Sequence, residues 1–292
     1  LTFGGVSGFV VFFVIYPIAI QLFREANLTR RLLPAAISAG CWTWSMSGPG
    51  SPSIQNYIAM TNLGTPATAA FVPSLITTAA MFAMIFVWLE YRARKFTGKG
   101  LTFNDLKYQL TEEELSTEKD KMLPHWLTAF LPIIIILVTF NIFHFPVETA
   151  VLTGIAASVL LMFRRIGGLN SWIEVFNKGA ADSGVAILNT AIVVGFGGVV
   201  QNTSGFADLV AMLKNLHMPP LVFVMITVAV CAGACGSASG GMGVAFNALK
   251  NTYMEMGINF QYVHRISAIA AGTLDTLPHQ GAQITLLGIC KM

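Results

Sequence analysis

Charge is scarce in this 292-residue chain: 11% of its residues are Asp, Glu, Lys or Arg, where an ordinary soluble domain carries about 25%. With 54% hydrophobic residues and a mean hydropathy of +0.67, the shortage excludes a water-soluble globule. Cysteine is sparse too. Cys41, Cys231, Cys235 and Cys290 stand in apolar or Gly-rich stretches without metal-type CxxC spacing, and they read as small buried residues. The net charge of +3 comes from loops and not from one basic face, so nucleic acid is excluded as a partner. No HExxH or GxSxG pattern accompanies His125, His144, His217, His264 and His279. A hydrolase or transferase needs a nucleophile with its base or a metal cage, so neither enzyme activity nor a cofactor or metal is expected.

What is present is apolar length. Hydrophobic blocks cover residues 3–23, 32–60, 67–89, 126–143, 147–163, 185–200, 221–234, 242–248 and 266–287. A spanning helix wants about 20 residues, and several blocks reach it. The expected fold is an all-α polytopic membrane protein. Nearly half of the 17 Lys+Arg and 14 Asp+Glu residues fall between 90 and 121. That polar stretch, 90–124, is expected to divide a first repeat at 1–89 from later scaffold helices and a second repeat at 125–292. It is expected to be a cytoplasmic linker with a short helix over 105–115. The chain begins at Leu1 inside an apolar stretch and ends just after another, and it reads as a fragment, with both repeats truncated at their outer ends.

Two blocks are interrupted. "SMSGPGSPS" breaks the second at 45–53, and "GACGSASGGMG" breaks the region 221–248 at 233–243. Glycine weakens a helix, proline removes a donor, and hydrocarbon offers nothing to a bare amide. Such backbone must be buried in protein or line a wet cavity, which predicts interrupted helices or re-entrant hairpins. Ser45, Ser47 and Gly48 recur at one spacing as Ser237, Ser239 and Gly240, Asn56 has a counterpart in Asn247, and Gly64-Thr65 an echo in Gly272-Thr273. This reads as an internal repeat, with inverted repeats as the expected arrangement. "GFGGVV" at 195–200, followed by Gln201, Asn202, Thr203 and Ser204, reads as another interruption. Glu148 and Asp182 read as residues near helix starts.

Orientation follows from basic residues at the membrane ends. Arg24, Arg30 and Arg31, then Arg92, Arg94 and Lys95, then Arg164, Arg165 and Lys178 all ask for the inside. The first two groups agree only if 32–60 makes a net crossing; a purely re-entrant segment there leaves one crossing between them.

Each break exposes amide donors at the start of the returning half-helix, where the helix dipole favours an anion. Ser45, Ser47, Ser237 and Ser239 add hydroxyls, Asn56 and Asn247 add amides, and Thr65 and Thr273 are matching polar groups. A small hydroxylated anion would use them all. The bland reading, that small residues only let helices pack closely, stands beside this one. A third cluster, "GTLDTLPHQGAQ", sets Asp275 and His279 in an apolar run, where ionisable groups mark ion or proton routes. Pro278 argues against regular helix there. Trp42 and Trp44 suit packing or a substrate path. No clear Arg or Lys stands inside an apolar block, which favours a singly charged substrate.

The stretches "GCWTWSMSGPGSPSIQN", "GACGSASGGMGVAFN" and "GTLDTLPHQGAQITLLGICKM" together resemble the gluconate permease family of bacterial inner-membrane symporters, within the ion transporter superfamily. The resemblance implies multi-pass insertion in the bacterial inner membrane and proton-coupled uptake of a small hydroxy monocarboxylate or sugar acid, such as gluconate or 3-hydroxybutyrate, by alternating access. It implies a small organic anion, a proton and the lipid bilayer as partners, and a homodimer. It places the hairpin-tip role on Ser45, Ser47, Gly48, Ser237, Ser239 and Gly240, and the unwound-helix role on Thr65, Thr273 and Asp275. Two other readings stay open: a sodium-coupled di- or tricarboxylate carrier, and a channel or intramembrane enzyme.

Overall fold

The computed structural model describes residues 2–5, 8–105, 126–164, 166–215, 218–274 and 276–292. Among them the chain is all-helical. Thirteen α-helices run in order: α1 Gly8–Glu25, α2 Leu33–Trp42, α3 Trp44–Ser47, α4 Ile54–Leu63, α5 Phe71–Thr97, α6 Trp126–Asn141, α7 Val147–Met162, α8 Leu169–Gln201, α9 Ser204–Lys214, α10 Pro220–Cys235, α11 Ala238–Glu255, α12 Phe260–Leu274 and α13 Gly281–Ile289. The short helix expected at 105–115 lies, but for its first residue, outside the described residues, as do His125 and His217.

Helix α5 shows why the surface is that of a membrane protein. It has 27 residues, about 40 Å at 1.5 Å per residue, and only 6% of its most apolar window is buried within the chain. Phe71, Val72, Ile76, Met84, Phe86 and Val87 all face outward. Water would not tolerate that continuous apolar band, whereas lipid does. The helix runs on through Thr97, so the polar stretch that starts at 90 opens inside α5 and not beyond it.

The main core joins the first break to the end of the chain. Met46, Ala59 and Leu63 pack with Phe223, Val228, Met242, Phe246, Leu249 and Tyr253 from α10 and α11. A second cluster sets α1 against α2 and α13 through Phe12, Ile20, Leu33, Ile37 and Leu286. Helices α6 and α7 form a pair of their own, with Gly154 so close to Ile136 that an added Cβ would sit 2.3 Å from its side chain.

The loop between α1 and α2 docks on the stretch that follows α5. Arg30 Nε donates to the Phe103 carbonyl at 3.2 Å, Arg31 pairs with Asp105 at 2.9 Å, and Thr29 Oγ1 donates to the same carboxylate. The path through α2, α3, α4 and back along α5 therefore begins and ends at one end of the molecule.

Three sequence readings change here. Helix α8 runs 33 residues straight through Gly195 and Gly198 and stops at Gln201. Each interior glycine costs roughly 1 kcal/mol, too little to break a long helix that has no proline to end it. Asp182 stands in the middle of that helix and not at its start, while Glu148 does occupy the first turn of α7. The second break is also narrower than the glycine-rich letters imply: α10 ends at Cys235 and α11 is already helical at Ala238.

Candidate functional site

The first break lies between α3 and α4. Ser47 ends α3, Gly48 caps it with extended backbone, and Gly50 turns at φ +82° before Ser53 opens α4. Asn56 reaches back from α4: its Nδ2 donates to the Ser45 carbonyl and to Ser53 Oγ, both at 3.0 Å, and Ser53 Oγ donates to the Ser45 carbonyl at 2.8 Å. A second irregular stretch joins α4 to α5, with Gly64 at φ +65° and Ala70 at φ +49°, a conformation that costs a residue with a Cβ of order 1–3 kcal/mol. Ala70 is held there by its N–H, which donates to Gln261 Oε1 at 3.2 Å.

Both stretches converge on one buried cation. Arg265, 3% exposed, lies near the start of α12. Its Nη1 donates to the carbonyls of Met46 at 2.8 Å and Gly48 at 3.3 Å and to Asn56 Oδ1 at 3.0 Å; its Nη2 donates to the carbonyls of Ala67 at 3.2 Å and Ala69 at 3.4 Å. His264, beside it and fully buried, donates from Nε2 to Asn56 Oδ1 at 3.1 Å, and Thr65 Oγ1 donates to its Nδ1 at 2.7 Å. The last turn of a helix carries unpaired carbonyls and partial negative charge, and a basic group there is stabilising.

The second break follows the same rule. Chain direction reverses at Gly236, φ +60°, and Ser237 caps α11, its Oγ accepting from the Gly240 N–H at 3.1 Å and lying 3.3 Å from Ser239 Oγ. The hairpin closes almost backbone to backbone: a Cβ added to Gly241 would stand 2.2 Å from the Cα of Ala232. In the last turn of α10 the Gly233 carbonyl accepts from His279 Nε2 at 2.7 Å. His279 comes from the gap between α12 and α13, where Pro278 also lies.

Helix α12 and its unwound continuation thus touch both breaks, Arg265 at the first and His279 at the second. Beside the first break, against the C-terminal part of α12, lies a cavity of about 150 Å³, lined by Ser38, Trp42, Thr43, Met46, Met81 and Gly272 among others. Ser38 Oγ is buried and has no hydrogen-bond partner among the described residues, which makes it an unspent hydroxyl at that wall. Trp42 packs edge-on against Phe12, and Trp44 leans on Phe82.

The residues singled out from sequence take different places. Ser45 Oγ donates to the Cys41 carbonyl at 3.0 Å; Ser47 Oγ donates to the Thr43 carbonyl at 3.1 Å and accepts from Thr78 Oγ1 at 3.2 Å. Asn56 and Thr65 belong to the Arg265–His264 network. Asn247 is exposed on α11, unlike buried Asn56, and Thr273 Oγ1 donates to the Ala270 carbonyl at 2.6 Å. Asp275 lies outside the described residues. The two S-x-S-G stretches are not equivalent in position: Ser45, Ser47 and Gly48 end the incoming half-helix of the first break, whereas Ser237, Ser239 and Gly240 open the returning helix of the second.

The absence of an Arg inside the apolar segments does not hold either. Arg265 is buried, and the signal was present: it is the only Lys or Arg between Lys250 and Lys291. At the edge of the apolar run it reads as an interface residue, and only the fold turns it inward.

An outward apolar surface and helices broken inside protein are features of a helical membrane protein, and two relatives are named as transporters. The chain is 32% identical to the uncharacterized transporter YxjC of Bacillus subtilis, over 99% of this chain and 70% of that protein. It is 22% identical to an uncharacterized transporter of Haemophilus influenzae, over 96% of this chain and 64% of that protein. The chain belongs to the transporter family that includes YxjC. It spans about two thirds of the length of these relatives. No family model matches it, and no solved structure does.

Proposed function

We propose that the protein is a secondary active transporter that takes up a small hydroxy monocarboxylate or sugar acid with a proton, by alternating access, in the bacterial inner membrane. The single observation that carries this reading is the cavity beside the first break, walled by Ser38, Thr43 and Met46 from α2 and α3 and by Gly272 and Thr276 at the end of α12. Its size suits a small acid, its wall is mostly apolar, and Ser38 and Thr43 offer hydroxyls to a hydroxylated substrate. Asn56, Thr65, Ser237 and Gly240 hold the broken backbone at the two breaks, and Ser45, Ser47, Gly48, Ser239, Asn247 and Thr273 remain proposed substrate contacts in another state of the transport cycle. Asp275 and His279 are the proposed proton route; with Nε2 donated to a carbonyl, His279 keeps Nδ1 for a proton.

The preference for a singly charged substrate now rests on Arg265 itself. Both of its terminal nitrogens are committed to oxygens of the protein, so neither is left to hold a second carboxylate. With α2 to α4 making one crossing and α5 the return, the basic residues before α2 and at the end of α5 lie on one side of the membrane, in agreement with the charge rule.

The test is uptake of labelled gluconate and 3-hydroxybutyrate by the full-length protein in proteoliposomes. A pH gradient alone should drive accumulation. Accumulation driven by a sodium gradient and indifferent to pH would favour the sodium-coupled di- or tricarboxylate carrier instead.

A further inference from the structure

The chemistry around Arg265 is that of a cation site. Four backbone carbonyls and one amide oxygen converge on its guanidinium from three separate stretches: the end of α3, the start of α4 and the irregular segment before α5. Uncharged oxygens of this kind are the ligands that hard metal cations take. Unwound backbone carbonyls and half-helix C-termini are where membrane transporters coordinate a coupling cation. No carboxylate pairs with Arg265 among the described residues. The buried positive charge is met by dipoles alone, as a bound metal ion would be. Acceptors also exceed what the fork can satisfy linearly: Nη1 has two hydrogens and faces three oxygens, while Nε has no partner among the described residues.

We propose that the Arg265 guanidinium is a tethered cation occupying an oxygen nest that would otherwise take a dissociable monovalent cation, and that it makes the first break independent of sodium. The positive charge that folds Met46, Gly48, Ala67 and Ala69 around one point is supplied covalently, by the second half of the chain, and cannot be released. Removing the side chain leaves the oxygens in place and unpaired, so the nest should accept a small free cation. This inference rests on the oxygen cluster and not on the proposed substrate, and its readout is stability, so it fails or stands separately from the uptake assay.

The experiment uses the full-length protein purified in detergent, as wild type, Arg265→Ala and Arg265→Gln, melted in choline chloride and then titrated with sodium, lithium, potassium or methylguanidinium chloride at constant ionic strength. Wild type should melt at one temperature in all of them. Arg265→Ala should melt lower in choline and regain at least half of the loss, saturably, with sodium or methylguanidinium, because a ligand that binds only the folded state raises its melting temperature. Arg265→Gln, neutral and closer in bulk, should show the same cation response from a higher baseline. The proposal is overturned if wild type gains from sodium as much as the variants do, or if the variants respond no more than wild type. Failure of both variants to yield folded protein even when prepared throughout in sodium would also overturn it.

Discussion

Asn56 and Arg265 are 209 residues apart in the sequence and meet side chain to side chain at 3.0 Å. The same Asn56 oxygen accepts from His264, and its amide nitrogen donates to the Ser45 carbonyl. One uncharged residue thus serves a cation, an imidazole and a helix end while fully buried. Replacing it should cost far more than its size suggests. Asn56→Ala leaves buried donors and an acceptor unpaired, and each such bond to a charged group is worth about 1.5–3 kcal/mol. The expected result is a marked fall in melting temperature in detergent. Asn56→Asp puts a carboxylate beside Arg265 but turns its second oxygen, with no donor, against the Ser45 carbonyl, so the gain at the cation offsets part of the loss at the helix end and it should melt between the two. An Asn56→Ala protein that melts like wild type would contradict the network.

Gly241 and Gly243 make an internal control on α11. A Cβ at Gly241 meets the backbone of Ala232 and Cys231, which cannot move aside, whereas nothing lies within 4 Å of a Cβ at Gly243. Gly241→Ala should splay the α10–α11 hairpin and abolish a monodisperse peak in size-exclusion chromatography. Gly243→Ala should be tolerated, and helix propensity alone favours it by up to about 1 kcal/mol.

His279 separates a capping role from a coupling role. His279→Gln retains an N–H donor for the Gly233 carbonyl but has no ring nitrogen to accept a proton. The variant should fold, and its substrate uptake should no longer follow the imposed pH gradient. Full pH-driven accumulation in His279→Gln would move the proton route elsewhere, with Asp275 as the next residue to test.

The cavity offers two graded substitutions. Ser38→Ala removes the unpaired hydroxyl, and a lost neutral hydrogen bond of about 0.5–1.5 kcal/mol corresponds to a roughly two- to tenfold rise in the half-saturating substrate concentration. Ala39→Phe fills the space from the same wall. It should abolish uptake while leaving expression and melting temperature near those of wild type. Unimpaired uptake by Ala39→Phe would place the substrate elsewhere.

Much of the helical framework could be read from the letters, because glycine and proline act locally. Gly48, Gly50 and Pro52 interrupt the chain where they stand, and the gap between α12 and α13 holds Pro278. The long apolar blocks became helices for the same local reason. What could not be read was pairing across the fold. The amide ends of the broken helices have partners close by in serines and asparagines, while the carbonyl ends, equally bare, take basic partners from far along the chain. Backbone carbonyls carry no letter of their own, so nothing in "VHRIS" points to Met46 or Ala67. The repeated S-x-S-G shows the converse: identical letters at identical spacing end one helix and begin another, since Ser caps a helix start as readily as it bonds to the preceding turn.

Where two helical backbones touch with no side chain between them, as at Gly241 and Ala232, there is nothing to compress and no rotamer to exchange. The tip at Gly236 therefore has no play of its own relative to the arms behind it. The residue at 241, and not the loop, sets how near the two arms of this hairpin can lie, and any side chain there would widen the hairpin from the tip outward.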